Sequence, residues 1–588
     1  MTNAPGLDEL RLAREHARSG DVAAALAAYA RAAGGAETLL TAVREGARLA
    51  IAHGAAIPAL RLLDQGLRLH PGTADLHALL AVAHQAAGRL PAAAAAAERA
   101  LQLDPADAIA AAVLAGLALS HSSPSAALTA TDAAIARHPQ AAVLWRERGR
   151  AMLDRGEPTA ACAALRQAFA LNPHNAATRS NLCLASLYDA ALDATAVRDL
   201  HLQVVAHAPQ STVALAAAST IARAKGEFLR VGVLSADLRL HPVGIFMGAL
   251  LQHGRSHRIE WVVYAHHARN DAVTVRLRSR VAHWREVAAL DDRACIESMR
   301  ADQLDVLLDL SGHTAGARPG VITARVAPLQ VAYLGYPAPS GARGIDAMIA
   351  DAVVMPAGSE AGWPERMLRL PHAFLCYEPY PDTPEVAARS PESTFTFGSF
   401  NNLAKLDDAT VALWCRVLAG IPHARLKLCA TTLGEAATAA FTRSRFSAHG
   451  VAPERLECVA PVANPAQLLA RYAEIDVALD PLRFNGGTTT LDALWQGVPV
   501  LTLPGAIMPA RMAASVLSTA NLTEWIATSE DDYIARAVQV SRARAHLADL
   551  RVSMRERLAG TPLIDGDRFA NSFATLLRAA HPSHATTR

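Results

Sequence analysis

Asn485-Gly-Gly-Thr-Thr-Thr490, running into Leu491-Asp492, is the stretch of this chain best equipped for chemistry. It lies between an apolar run that reads as a strand (Ile475-Asp-Val-Ala-Leu-Asp480) and one that reads as a helix (Leu491 to Trp495). Glycines between strand and helix let backbone N–H groups approach a phosphate, and the helix dipole favours the negative charge. Gly487 opens that approach, and Thr488 and Thr489 add hydroxyl donors. Asp492 falls one helical turn beyond Thr488 on the same face, where a carboxylate can accept both hydroxyls of a ribose. The same pattern also makes a plain helix start with an acid in its first turn. Lys405, in Asn401-Asn-Leu-Ala-Lys-Leu406, follows the strand-like run that begins at Thr394. An ammonium there, opposite a phosphate-binding helix, would neutralise a departing diphosphate without a metal. His241 follows Ser235-Ala-Asp-Leu-Arg-Leu240, where an imidazole can take a hydroxyl proton or hydrogen-bond a phosphate. His313, in Ser311-Gly-His-Thr314, holds an equivalent place after another strand and is the weaker candidate of the two.

These residues need a scaffold that presents strand ends. Phe228–Leu234, Leu304–Leu310, Val331–Leu334 and Ala347–Ala350 are short apolar runs, each ending in a polar or glycine-containing loop; Gly335-Tyr336-Pro337 closes the third. A proline-containing stretch, Pro379–Pro391, separates them from a second series at Thr394–Asn402, Arg425–Cys429, Leu456–Val459, Ile475–Asp480 and Val498–Thr502. Short apolar runs alternating with helical stretches predict a parallel α/β sheet in each series, with ligands bound beyond the carboxyl ends of the strands. Neither a Walker loop nor Gly-x-Gly-x-x-Gly follows a strand, which argues against ATPase and dehydrogenase chemistry. Nor does an Asp-x-Asp placed to chelate a metal, so no metal is expected.

The first third has another period. Pro71, Pro105, Pro139 and Pro173 recur every 34 residues, with Gly66, Ala100, Ala134 and Ala168 five residues before each. Gly20, Gly54, Gly88, Ser122 and Gly156, with Ala190 next, repeat at the same period. Two registers sharing one period predict helix–turn–helix units, with the Gly/Ser register at the inner turn and proline ending the second helix. Thirty-four residues is the tetratricopeptide length, and such units stack into a superhelix with a concave groove. Asn172, Asn175 and Asn181 are too few to establish a peptide-binding ladder in that groove.

Bulk composition excludes several classes. Lys+Arg 56 against Asp+Glu 54 leaves +2, no field for nucleic acid or an anionic membrane. Seven scattered cysteines without a Cys-x-x-Cys give neither a disulfide framework nor a zinc site. Residues 1–20 lack a secretory apolar core, and Pro91–Ala97 is too short to span a bilayer. The expected location is the cytoplasm.

At these segments the chain resembles the O-linked N-acetylglucosamine transferases and their SPINDLY relatives, over nearly its whole length. Arg230-Val-Gly-Val-Leu-Ser-Ala-Asp237…His241-Pro242 resembles the family's opening catalytic motif. Ala327-Pro-Leu-Gln-Val331, Leu334-Gly-Tyr-Pro337 and Leu370-Pro-His372 resemble further landmarks. Gly398-Ser-Phe-Asn-Asn-Leu-Ala-Lys405 resembles the segment with the diphosphate-binding lysine, and Asn485–Asp492 the phosphate and ribose site. The resemblance implies an all-α tetratricopeptide superhelix (1–215) followed by a GT-B-type α/β catalytic region. That region would comprise two Rossmann-like halves (228–385 and 392–560) with a C-terminal helix and tail (561–588). It implies His241 and Lys405 as catalytic residues, with Asn402, Gly487, Thr488, Thr489 and Asp492 around the phosphates and ribose. Ala463 and Leu468 would lie along the base, and Tyr336 and Pro337 join His313 as cleft candidates.

The implied reaction is inverting, metal-independent transfer of N-acetylglucosamine from its UDP form to Ser or Thr hydroxyls, on protein or peptide acceptors held by the repeat groove. Two departures bear on the donor. Animal members carry histidines where this chain has Leu468 and Gly487. Asn401–Lys405, Gly312-His-Thr-Ala315 and Phe374-Leu-Cys-Tyr377 stand closer to SPINDLY, whose plant members use GDP-fucose. A fucosyltransferase, and a repeat scaffold whose transferase part binds nucleotide without turnover, are the alternatives.

Overall fold

The computed structural model describes residues 5–208, 228–267, 270–390, 392–462 and 464–582. Among them, twelve helices, α1 (Pro5–Ser19) to α12 (Ala194–Ala206), fill the first third. Both registers of the sequence have their expected places. Gly20, Gly54, Gly88 and Gly156 sit between the two helices of a pair at φ from +72° to +90°, and Ser122 takes the same turn at +58°. Left-handed backbone favours glycine, so the register is a conformational requirement that Ser122 meets with strain. Pro71, Pro105 and Pro173 follow the second helices by two residues, Pro139 by four. The small residues before them are packing sites: a Cβ on Gly66 would stand 3.0 Å from Val43 and 3.1 Å from Leu76.

Compactness divides the chain into two units, residues 1–152 with 163–172, and residues 153–162 with 173–588. The boundary therefore runs through the helical pairs well before residue 215. In the first unit alanine dominates the core: Ala25, Ala28, Ala42, Ala47, Ala78, Ala93, Ala97 and Ala100 are buried, with Leu63 and Leu76 as the large fillers. Small side chains allow close helix approach, which stacked pairs need because none buries its apolar stripe alone.

The second unit holds the two sheets and also α11 (Ala176–Ser186) and α12. The first sheet has seven parallel strands: β1 (Leu229–Ser235), β2 (Ile259–Ala265), β3 (His283–Glu286), β4 (Val306–Asp309), β5 (Leu329–Ala332), β6 (Ala347–Asp351) and β7 (Arg366–Leu370), in the order β3-β2-β1-β4-β5-β6-β7. The second has five: β8 (Thr396–Ser399), β9 (Arg425–Cys429), β10 (Leu456–Val459), β11 (Val477–Leu479) and β12 (Val500–Leu501), in the order β10-β9-β8-β11-β12. Their interior strands are buried on both faces, as parallel sheets covered by helices must be; β4, β5 and β6 are buried at every residue. The result is a helical repeat region followed by two Rossmann-like halves.

Several contacts tie the second unit together. Asp351, at the end of β6, accepts from Ser515 Oγ at 2.7 Å, and Arg511 Nε donates to the Val353 carbonyl at 2.6 Å. The Gly566–Ala580 helix returns to the first half, where it packs on β7 and on α13 (Pro242–His253). Gly566 lies so close that a Cβ there would stand 2.9 Å from His253. From the helical side, α12 holds the first half. His201, fully buried, hydrogen-bonds the Tyr336 hydroxyl, and Arg198 donates to the Ala361 carbonyl at 3.1 Å.

Candidate functional site

Strand order brings the candidate residues together. β8 and β11 are neighbours in the second sheet, so the loops leaving their carboxyl ends lie side by side. After β8 the chain makes a short 3-10 turn, Leu403–Lys405, capped by Asn402, whose Oδ1 accepts from the Ala404 N–H at 3.0 Å. After β11 comes the glycine loop, then a helix that starts at Thr488 and runs to Trp495. Lys405 Nζ spans the two loops: it donates to the Asn485 carbonyl at 2.8 Å and to Asn401 Oδ1 at 3.1 Å, and it sits 4.7 Å from the centre of the Phe484 ring. The same Asn401 oxygen accepts from Thr489 Oγ1 at 2.9 Å. One amide thus sets both the lysine and Thr489.

Asn401, not Asn402, is the organising residue of the pair. Asn402 is exposed and its carbonyl oxygen is spent on the turn, while Asn401 is half-buried between the loops. Nothing in an Asn-Asn dipeptide says which side chain turns inward; the 3-10 cap decides it.

The Asn485–Gly486 peptide is gripped at both ends. Its carbonyl takes Lys405, and its N–H donates to Asp480 Oδ1 at 2.7 Å. Asp480 is buried at the end of β11, and its other oxygen accepts from Thr502 Oγ1 at 2.7 Å. Gly486 has to be glycine, because a Cβ would stand 2.5 Å from Thr489 Oγ1 and 2.6 Å from Thr490 Oγ1. Gly487 does not: a Cβ there meets only Leu375, at 3.6 Å. Thr488 Oγ1 has no hydrogen-bond partner within the described protein. Burial pushes the Lys405 ammonium down to about 8, opposed by the Asp480 charge, and pushes the Asp480 carboxyl up, opposed by its hydrogen bonds and by Lys405.

Asp492 lies one turn into the helix and accepts a 2.7 Å hydrogen bond from the Tyr377 hydroxyl. Burial raises its carboxyl to about 7, with that hydrogen bond opposing. Tyr377 comes from the segment between the two sheets, 115 residues away, so spacing around Asp492 gives no sign of it.

His241 caps α13. Its Nδ1 accepts from the Val243 N–H at 3.3 Å and lies 4.0 Å from Asp237, which Arg239 also engages at 2.9 Å. Burial lowers the imidazole's pKa, so at neutral pH the ring is uncharged. An Nδ1 that accepts leaves the proton on Nε2, and that tautomer suits donation to a phosphate or sugar oxygen better than abstraction of a proton. His313, Tyr336 and Pro337 go into the wall of the first half. His313 is bonded to the Ser340 carbonyl at 2.8 Å, and its ring lies edge-on to Tyr336 at 5.2 Å. Tyr336 is 3% exposed and Pro337 is buried. Within the described residues no hydrogen bond or ring contact links these three to Lys405 or Asp492. His313 and Tyr336 pack against His201 of α12, with ring centres 5.7 and 5.9 Å from it. Leu468 is half-buried on the Pro465–Ala470 helix, and Ala463 lies outside the described residues.

The ends of two adjacent strands of the second sheet thus bring together a half-buried lysine, a glycine loop with threonines and, one turn into the following helix, the Asp492 side chain. The profile of glycosyl transferase family 41 matches residues 202–381 and 376–573. The chain belongs to that family. Among family relatives, a tomato (Solanum lycopersicum) protein described as probable UDP-N-acetylglucosamine–peptide N-acetylglucosaminyltransferase SPINDLY is 33% identical over 358 residues, 60% of this chain. The Arabidopsis thaliana protein described as the probable transferase SEC is 31% identical over 356 residues. The alignments span 38% and 36% of those relatives' own lengths. A mutant of the Thermobaculum terrenum O-GlcNAc transferase superposes with a TM-score of 0.74 at 30% identity, covering 92% of this chain and 98% of that one. Among the described residues no three His, Cys, Asp or Glu side chains converge to hold a metal ion, and no helix is long and apolar enough to cross a membrane.

Proposed function

We propose that this family 41 member transfers N-acetylglucosamine from UDP-N-acetylglucosamine to Ser or Thr hydroxyls of proteins. The observation that carries this reading is the Lys405–Asn401–Thr489 linkage beside the glycine loop. It brings a cation and a hydroxyl onto one amide oxygen beside the first turn of a helix, an arrangement that supports an anion site there. In the proposed reaction the donor's ribose hydroxyls bind Asp492, its diphosphate lies over Thr488 and Thr489, and Lys405 offsets the charge that grows on the departing nucleoside diphosphate. The bond from the anomeric carbon to the phosphate oxygen breaks as the acceptor oxygen bonds from the opposite face, inverting the centre. The acceptor's proton passes to solvent or to a base outside the Lys405 cluster. His241 Nε2–H donates to donor oxygens, and Lys405 supplies the charge a metal would otherwise carry. Acceptor proteins are proposed to reach the site by way of the repeat groove.

The relatives named SPINDLY and the uncharged Leu468 keep GDP-fucose as the competing donor. Titration calorimetry with UDP and GDP, followed by a transfer assay with the matching sugar nucleotides, tests both. Tighter UDP binding with N-acetylglucosamine transfer supports the reading; tighter GDP binding with fucose transfer replaces it; nucleotide binding without turnover of either reduces the chain to a scaffold.

A further inference from the structure

We propose that Tyr188, on the turn between α11 and α12, is a positioning residue for Lys405 and acts through Phe484. The ring of Tyr188 stacks on that of Phe484 with centres 4.5 Å apart and planes 12° from parallel. Lys405 Nζ lies 4.7 Å from the centre of the same ring. A stacked ring and an ammonium cannot share one face, so Phe484 is held between the two. The cation gains from the ring's electron-rich face only while that ring lies flat beneath it. The residue after Phe484 supplies the other half of the lysine's position, since the Asn485 carbonyl accepts from Nζ at 2.8 Å. Tilting Phe484 therefore disturbs two of the three contacts that fix the ammonium; the third is Asn401.

The turn that carries Tyr188 is itself fixed. Asp189 is buried, and one of its oxygens accepts from Thr159 Oγ1 at 2.7 Å and from the Ala191 N–H at 3.1 Å. On the loop side, Arg483 precedes Phe484. Its Nε and Nη2 are buried without a hydrogen-bond partner; burial lowers its pKa, and the charges of Asp189 and Asp407 oppose that shift. Phe484 thus stacks on the helical turn through Tyr188, and Arg483 beside it feels the charge of Asp189, the next residue of that turn. Glycine-loop chemistry needs no residue from a helical repeat. The stack makes the last helical pair a structural part of the leaving-group site.

The inference rests on Lys405 meeting the diphosphate, and a double-mutant cycle separates the two ideas. The probes are UDP and GDP, titrated by calorimetry into the full chain as wild type, Tyr188→Phe, Tyr188→Leu, Lys405→Met and the Leu/Met double variant. Leucine keeps apolar bulk on the turn, so the fold is expected to survive; phenylalanine keeps the flat face. Tyr188→Leu is expected to weaken the better nucleoside diphosphate about fivefold and Tyr188→Phe less than about twofold, in proportion to a desolvated cation–ring contact. In the Lys405→Met background Tyr188→Leu is expected to change affinity by less than about 1.5-fold, because the contact it supports is gone. Equal weakening in both backgrounds, or no weakening in either, overturns the positioning role alone. A Lys405→Met variant that binds as tightly as wild type overturns the diphosphate reading and this inference with it.

Discussion

Lys405→Met removes one charge while keeping a side chain of similar reach. In the chain without donor, two of the three ammonium protons go to Asn485 O at 2.8 Å and Asn401 Oδ1 at 3.1 Å, leaving one for a phosphate oxygen. Removing a donor aimed at developing charge raises the barrier by about 2.7–4 kcal/mol, so turnover should fall roughly 10²–10³-fold. The pH profile supplies a second readout. The working form is the cation, and burial has pushed its pKa from 10.5 down to about 8, so the cation is lost as pH rises through that value. Wild-type kcat/KM should therefore fall about tenfold for each pH unit well above 8, and the methionine variant should lack that limb. Donor consumption, followed from pH 6 to 10 for both proteins, measures both: at saturating sugar nucleotide for the loss of turnover, and well below KM for the limb that the donor-free lysine sets. A thermal melt guards against misfolding, since the Asn485 carbonyl loses a partner at a cost of about 1–3 kcal/mol. Turnover of a folded variant within about threefold of wild type, well short of the loss expected for a missing charge-directed donor, would refute the assignment. An alkaline limb that survives the substitution would refute it equally.

Asp480→Asn should move the alkaline limb to lower pH by about one unit or more, because the anion that favours protonated Lys405 is gone; the amide oxygen can still accept from Gly486, and Thr502 can turn to accept from the amide nitrogen. Asp492→Asn should weaken UDP and GDP alike by roughly 1.5–3 kcal/mol in calorimetry, since both offer the same ribose hydroxyls. Its carboxyl is raised in the fold from 3.8 to about 7, so the native state holds the extra proton and wild-type stability falls as pH climbs through that window. The melting temperature of Asp492→Asn should lack that decline. Leu468→His should raise UDP affinity by up to about tenfold by offering the base a polar, cationic face; unchanged affinity would place the base elsewhere. Deleting residues 1–152 should spare nucleotide binding and impair modification of intact proteins. Deletion through 208 should yield no cooperative melt, because the His201–Tyr336 and Tyr188–Phe484 contacts go with it.

The helical period was readable because it is a backbone constraint. A left-handed turn every 34 residues calls for glycine, and the chain obliges at four of the five described turns where φ is positive. The strand-end loops were readable for a similar reason: the Asn485–Thr490 run and Lys405 owe their places to local turns and to two adjacent parallel strands, although the glycine that the packing requires is Gly486 and not the Gly487 singled out from the sequence. Contacts that join distant segments left no trace in spacing. Tyr377 reaches Asp492 across 115 residues, and Tyr188 meets Phe484 across an even longer stretch of chain. Tyr336 misled for the converse reason. It follows a strand, as a ligand-binding residue would, yet the helical pair packed over that strand end buries it. The division near residue 153 was equally hidden, because the repeat register continues unchanged past it.

The return of the Gly566–Ala580 helix to the first half has a consequence for synthesis. α13 and β7 are complete once residue 370 has been made, yet the surface that covers them is encoded nearly two hundred residues later. At ribosomal rates of about 5–20 residues per second, the first half waits roughly 10–40 s with that face bare. His253, His257 and the rings of Tyr333 and His372, which later meet Gly566, Asp567, Phe573 and Phe569, stay uncovered through that interval. The second half, whose strands lie between residues 396 and 501, is finished before its neighbour, although it is made after it. Birth order and completion order are reversed, and a ribosome arrested short of residue 566 carries a closed second sheet beside an open first one.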